Sequence, residues 1–363
     1  LIFIAYNYRK NRNDGYNRGT DNYNRDPYGY DRGYSSKDKE QKSSKPNIFT
    51  RMFTYEPMLP YDEEALTWCA NFVGVDEREL KTILRDIPAY YKQFSLRKRS
   101  GGYRTISAPD AKLLSIQQTI YRRVLLPVNI HPAATGFRHK VSIVDNAKPH
   151  LGKSNILKTD IMDFFGSIKL YTVIQAFEKI GYPANISEVL GTLCCLRKRL
   201  PQGAPTSPAL SNIIAYEMDR KLTALSGEYG LSYTRYADDL TFSGDNIPHE
   251  EILPKIKAIL WEDRFTLKIK KTRFIPQNKR KIITGVSISS GEKLTIPKAK
   301  KREIRKNVYF ILKRGLSGHQ RHIKSTDPAY LKRTIGYLSF WLSVDPDNEF
   351  VIQSIQKLKR LDR

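Results

Sequence analysis

Residues 231–244, LSYTRYADDLTFSG, decide the fold. Two runs rich in aromatic and β-branched residues flank a bend at Tyr236-Ala237-Asp238-Asp239, which predicts a β-hairpin carrying two carboxylates at its tip. Working outward, SNILKTDIMDFF at 154–165 is an apolar run ending in Asp160 and predicts a buried strand. A helix starting near Ser207 and closing with YEMDRKLTALS precedes the hairpin; a helix at 252–261 and another strand follow it. Together these elements describe an α+β antiparallel sheet covered on one face by helices.

Asp160, Asp238 and Asp239 end or bend strands flanked by apolar residues. Carboxylates there are costly unless a positive group joins them, and hard divalent cations such as Mg2+ answer that need with oxygen coordination. Two such ions can serve an in-line displacement at phosphorus. An Asp-Asp pair alone reads as an ordinary turn, and context is needed to make it catalytic.

The 363 residues carry 62 Lys and Arg against 37 Asp and Glu, a formal charge of +25, which points to a polyanionic partner, nucleic acid first. No run approaches the about 20 apolar residues of a membrane span, and the opening LIFIA is too short for a signal-peptide core, so no membrane partner and a cytoplasmic setting are expected. Three cysteines, two of them adjacent (Cys194, Cys195), offer neither a disulfide framework nor zinc spacing and read as small core residues. Six histidines without metal-ligand spacing argue against a histidine metal site.

Residues 1–45 are a low-complexity extension with seven tyrosines among Asn, Gly and Arg, readable as a disordered tail or as an accessory RNA clamp. A helical leader spans 46–93, with Leu66, Cys69, Phe72 and Val73 on one face and Leu80, Ile83 and Leu84 on the next helix. Residues 94–109 predict a hairpin with a basic tip turning at Gly101-Gly102, and a helix at 113 to about 126 stops at Pro127. From 297 to 363 three basic helices are expected, with an apolar stripe at Val308, Ile311 and Leu312. This last fifth holds 16 Lys and Arg against 6 Asp and Glu, suiting a phosphate-tracking surface.

Seven segments stand in an order that resembles the reverse transcriptases, and among them the bacterial retron enzymes: RKRSGGYRTISAP, ATGFRHKVSIVDNAKPH, LKTDIMDFFGSI, LPQGAPTSPALSN, YADDLTFSG, LKIKKTRF and ITGVSIS. Asn146 to His150 and the Thr284-Gly285 pair favour retrons over intron-encoded relatives. The resemblance implies a right-hand polymerase fold, with fingers at 94–159 (including part of the palm), a palm at 160–296 enclosing a fingers segment at 170–200, and an α-helical thumb at 297–363.

For the site, the resemblance implies that Asp160, Asp238 and Asp239, with the Ile161 backbone carbonyl, hold two Mg2+ ions, Mn2+ being an alternative. Phe165 would be the steric gate against ribose, with Phe164 a core residue. Arg104 would grip the triphosphate, helped by Arg97, Lys98 and Arg99, and Gln202 would touch the nucleotide beside Pro201, Gly203 and Pro205. Ser207-Pro208 reads as a helix cap followed by proline. Lys271, or failing that Lys270, would face the pyrophosphate. Tyr236 would lie at the primer end, or simply pack as a strand aromatic; Asn146, His150, Thr284 and Gly285 would contact primer or template, or fix local backbone.

The implied activity is RNA-directed DNA polymerisation on a cognate structured non-coding RNA (msr-msd type), giving branched RNA–DNA (msDNA) from deoxynucleoside triphosphates. A role in antiphage defence with a separate effector protein is implied too, and higher oligomers are left open. The rival readings are an intron-type reverse transcriptase and maturase, and an RNA-binding scaffold with vestigial activity.

Overall fold

The computed structural model describes residues 60–98 and 101–361. The extension at 1–45, the start of the leader and Arg99 lie outside the described residues. In the leader, α1 (Glu63–Val73) is capped by Asp62 and α2 (Glu77–Arg85) by Asp76, each carboxylate accepting from a first-turn N–H. Leu66, Cys69 and Val73, then Leu80, Ile83 and Leu84, are buried as their spacing predicts; Phe72 is half-buried and stacks on Trp68.

Strands β1 (Tyr91–Arg97) and β2 (Tyr103–Pro109) form the expected hairpin, with Leu96 opposite Arg104. Helix α3 (Ala111–Ile120) does not run on as one α-helix: Tyr121–Leu125 widens to a π-helix, closed by Leu126 N–H to the Tyr121 carbonyl, before the turn at Pro127. A short α4 (Ile143–Ala147) follows, fixed by a capping box of Ser142 and Asp145.

Next come β3 (Asn155–Asp160), the short α5 (Phe164–Ser167), α6 (Leu170–Ile180) and α7 (Ala184–Cys194). The helix expected from Ser207 is two helices, α8 (Ser207–Ile214) and α9 (Tyr216–Glu228), because Ala215 leaves the helical region at ψ 5°. Ser207 is not the cap: Thr206 precedes the helix, and the Ser207 hydroxyl donates to the Pro201 carbonyl at 2.7 Å, closing the loop on itself. Strands β4 (Ser232–Tyr236) and β5 (Asp239–Gly244), helix α10 (His249–Glu262) and β6 (Arg273–Ile275) complete an antiparallel sheet of order β4-β5-β3-β6. Ile156 and Leu157 of β3 and Leu240 and Phe242 of β5 are buried, so the carboxylates at the strand ends sit on an apolar base. All three cysteines are buried free thiols.

The strands β7 (Ile282–Ile283) and β8 (Val286–Ser287) turn through Thr284 and Gly285, both at positive φ (45° and 90°), as a two-residue hairpin of the I′ kind demands. The three basic helices follow as expected: α11 (Lys298–His322, kinked at Gly315), α12 (Tyr330–Val344) and α13 (Glu349–Arg360). Their apolar cluster, centred on Val308, Ile311, Leu338, Trp341 and Leu358, is continuous with Ile283 and Val286 of the β7–β8 hairpin and with Ile156 of β3. Leu312 departs from the expected stripe; it lies at the rim of that helix face and is exposed. Among the described residues no helix is long and apolar enough to cross a membrane.

Candidate active site

Strands β4 and β5 are joined by the two residues Ala237 and Asp238, with Tyr236 opposite Asp239. Ala237 takes φ 59°, a position where glycine is the ordinary choice and an L side chain costs about 1 kcal/mol. The turn is tied to the neighbouring strand: Ile161 N–H donates to the Asp238 carbonyl at 2.9 Å, and Asp160 stands opposite Asp239 in the β3–β5 register. The three aspartates therefore share one end of the sheet.

Asp160 is buried, and its Oδ2 accepts from Lys271 Nζ at 2.5 Å, with Lys268 Nζ 4.0 Å from Oδ1. Lys270 is exposed and makes no such contact among the described residues, so of the two lysines the structure brings Lys271 to the carboxylates. Burial pushes the Asp238 carboxyl up to about 6, and the charges of Asp160 and Asp239 push the same way. Asp239 is raised by burial also, with the Lys158 ammonium opposing. Burial is the largest single influence on Lys271 and works against its charge, but the bond to Asp160 and the charges of Asp160, Asp238 and Asp239 together outweigh it and raise the ammonium above its ordinary range.

Among the described residues no three acidic, His or Cys side chains converge as a preformed metal cage, and Asp160 is paired with Lys271. The donor set still fits a hard divalent ion. Burial first, and then the charges of Asp160 and Asp239, lift Asp238 to about 6, and a cation among the three carboxylates would offset both.

Phe165 is half-buried beside Phe137, their ring centroids 5.9 Å apart, and Phe137 lies 6.4 Å from the Tyr236 ring. Phe164 is buried against Phe265. Phe137, at φ 63°, was given no role from the sequence; the positive φ that turns it between Phe165 and Tyr236 has no sequence signature in a phenylalanine. Its neighbour Gly136 is dictated by proximity, because a Cβ there would lie 2.6 Å from Ala237 N.

The loop of Gln202 docks on the hairpin strand of Arg104: Ser107 N–H donates to the Gln202 carbonyl at 2.8 Å, and a Cβ on Gly203 (φ 135°) would lie 2.5 Å from the Ser107 carbonyl oxygen. The Arg104 and Gln202 side chains are half-buried, Arg97 and Lys98 exposed, and no hydrogen bond or ion pair among the described residues carries them to the carboxylates.

Of the two readings of Asn146 and His150, backbone fixing or contact with nucleic acid, the side-chain geometry speaks to the first: both residues are buried and bonded inside the protein. His150 has no exposed surface; its ring nitrogens bond the Ser243 hydroxyl (2.7 Å) and the Thr234 hydroxyl (2.8 Å), which pins β4 and β5 to the 143–150 segment. Burial drives its pKa down to about 3, so the ring is neutral. Asn146 is buried too, bonded to Thr135 Oγ1 at 2.7 Å and donating to Thr284 Oγ1 at 3.2 Å. Thr284 is thereby a partner of Asn146 at a tight turn, and Gly285 is the exposed residue of that turn.

The sequence profile described as reverse transcriptase (RNA-dependent DNA polymerase) matches residues 96–303. The chain is 35% identical over 259 residues to the retron Ec86 reverse transcriptase of Escherichia coli, covering 71% of this chain and 77% of that one. It is 34% identical over 225 residues to the retron Mx65 reverse transcriptase of Myxococcus xanthus, covering 57% of this chain and 53% of that one. A telomerase structure from Candida albicans aligns with a TM-score of 0.41 at 13% identity, over 75% of this chain and 63% of its own, a likeness too low to carry weight. The strand-end aspartates, the α+β sheet and these similarities lead to one conclusion: the chain belongs to the reverse transcriptase family of RNA-dependent DNA polymerases and, within it, to the retron reverse transcriptases.

Proposed function

We propose that this reverse transcriptase binds a structured non-coding RNA of the msr-msd type and copies part of it into single-stranded DNA at the Asp160, Asp238 and Asp239 site. The observation that carries the reading is the meeting of these carboxylates, in register, with Lys271 at one strand end. Asp160, Asp238, Asp239 and the Ile161 carbonyl would hold two Mg2+ ions, Mn2+ being an alternative, whose Lewis acidity activates the attacking hydroxyl and offsets charge on the pyrophosphate. The hydroxyl oxygen would form a bond to the α-phosphorus, its proton would pass to solvent water, and the bond from that phosphorus to the pyrophosphate oxygen would break. Lys271 would donate a proton to the departing pyrophosphate. Phe165, with Phe137 beside it, would close the space under C2′ of the sugar, and Tyr236 would border the primer end.

In this reading 94–159 serve as fingers and part of the palm, 160–296 as palm with its fingers segment, and 297–363 as an RNA-tracking thumb whose basic charge makes binding steeply salt-dependent. Arg104 and Gln202 would engage the incoming nucleotide. The first nucleotide would be joined to a guanosine 2′-hydroxyl of the bound RNA, and the branched product would serve antiphage defence together with a separate effector. The test is to sequence the nucleic acid that copurifies with the protein and to assay extension on that RNA with Mg2+ and deoxynucleotides. A branched DNA copy, abolished by Asp238→Asn, is expected; undiminished product from Asp238→Asn would reject the assigned site.

A further inference from the structure

We propose that Arg235 is a positioning residue for the turn that carries Asp238 and Asp239, acting through the Ala237 carbonyl; the proposal rests on the reading of those aspartates as the reactive site. Arg235 precedes Tyr236 on β4 and is wholly buried. Its guanidinium forks onto Asp219 of α9, with Nη2 2.6 Å from Oδ2 and Nε 2.8 Å from Oδ1. Nη1 reaches in two other directions, to Asn212 Oδ1 of α8 and to the Ala237 carbonyl, each at 3.1 Å. Asn212 then donates from Nδ2 to the Gly136 carbonyl at 2.8 Å, fixing the residue that packs directly on Ala237 N. The Phe164 ring lies under the guanidinium, 5.5 Å from Cζ.

Packing alone does not call for this arrangement. A buried ion pair is costly to desolvate, and an apolar pair of similar volume commonly serves a core as well. What an apolar pair cannot do is bond the carbonyl of Ala237, held at φ 59°, and at the same time bond the Asn212 amide whose Nδ2 holds the Gly136 carbonyl. Asp219 cancels the Arg235 charge, so the influence of the pair on the nearby aspartates runs through geometry. Planar guanidinium donors reach three acceptor groups at once; an ammonium is a single point and does not reproduce that reach.

The test uses the full chain with two variants. Arg235→Lys keeps the buried charge but loses the fork, and Asp219→Asn with Arg235→Gln removes both charges so that neither is orphaned. Gln117→Leu is the control: Gln117 is equally buried but bonds the Tyr91 hydroxyl and the Leu193 carbonyl in another part of the core. Extension kinetics are read at a temperature where circular dichroism shows each protein folded. In both Arg235 variants kcat should fall about 10²-fold, as for a small misplacement of reacting groups, with the deoxynucleotide KM nearly unchanged. Arg235→Lys should recover much of the melting temperature of the parent without recovering kcat, and Gln117→Leu should lose melting temperature only. Arg235 variants that melt early yet keep the parent kcat would reduce the residue to a structural role and overturn the proposal. If neither variant folds, Asn212→Ala, which frees the Gly136 carbonyl and one guanidinium bond, decides on the same readout. Retained activity in Asp238→Asn would instead overturn the site itself, so the two failures are separable.

Discussion

Lys271 and Asp160 form an ion pair of 2.5 Å at the end of the strand that sets Asp160 opposite Asp239. The ammonium thus occupies a carboxylate that a divalent cation would also require. Substituting Lys271→Gln should lower the Mg2+ concentration for half-maximal rate several-fold, since one competing positive charge is gone. It should also lower kcat about 10²-fold through loss of the proton donor to pyrophosphate. Titrating the extension rate with Mg2+ checks both; unchanged values would remove Lys271 from the site.

Phe165 is half-buried and faces Phe137 at 5.9 Å, so its ring is held from one side by another aromatic. Phe165→Ala should open that space and lower the preference for deoxynucleotides over ribonucleotides about 10²-fold in kcat/KM, the order expected for a cavity of a few methylenes. Steady-state incorporation of paired deoxy and ribo substrates measures it. If discrimination persists, the gate is another residue, with Phe137 the next to substitute.

Gly136 abuts the aspartate turn so closely that a methyl group must displace backbone, 2.6 Å from Ala237 N and 3.2 Å from the Tyr236 carbonyl carbon. Gly136→Ala is expected to keep its secondary structure by circular dichroism while losing about 10²-fold in kcat. Full activity would show that the turn tolerates the shift.

His150 makes stability depend on pH. Burial lowers its folded pKa to about 3, whereas the unfolded chain takes up the proton near the ordinary value of about 6.5. Between these values the unfolded state binds the extra proton, so this stability is fully present above about pH 6.5 and is lost as pH falls toward 3. The loss runs at about 1.4 kcal/mol per pH unit, about 2 kcal/mol by pH 5. Urea denaturation at pH 7 and pH 5 should show it, and His150→Gln should flatten the difference. Equal slopes in parent and variant would contradict a neutral buried ring.

Much of the sheet is legible in the sequence. The hairpins at 231–244 and 94–109, the buried strand ending in Asp160 and the three basic C-terminal helices follow from local periodicity and from the turn preferences of Asp238-Asp239 and Gly101-Gly102. The break at Ala215 and the π-helical widening at Tyr121–Leu125 did not follow, because neither Ala215 nor the run Tyr121–Leu125 contains a glycine or proline to mark a change of backbone.

Asn146 and His150 read from the sequence either as residues that fix local backbone or as polar groups that touch RNA, and the structure buries and bonds each inside the protein. Polarity says that a group needs partners; it does not say whether water, RNA or the core supplies them. The chain by itself marked three aspartates at apolar strand ends as groups in need of a positive partner. Tertiary structure alone decided the partners. Lys271 meets Asp160 across 111 residues, Asn146 meets Thr284 across 138, and Arg235 reaches Asn212, Asp219 and Ala237 together. Such contacts depend on side-chain directions at the crossing of distant elements, where local propensity has no reach.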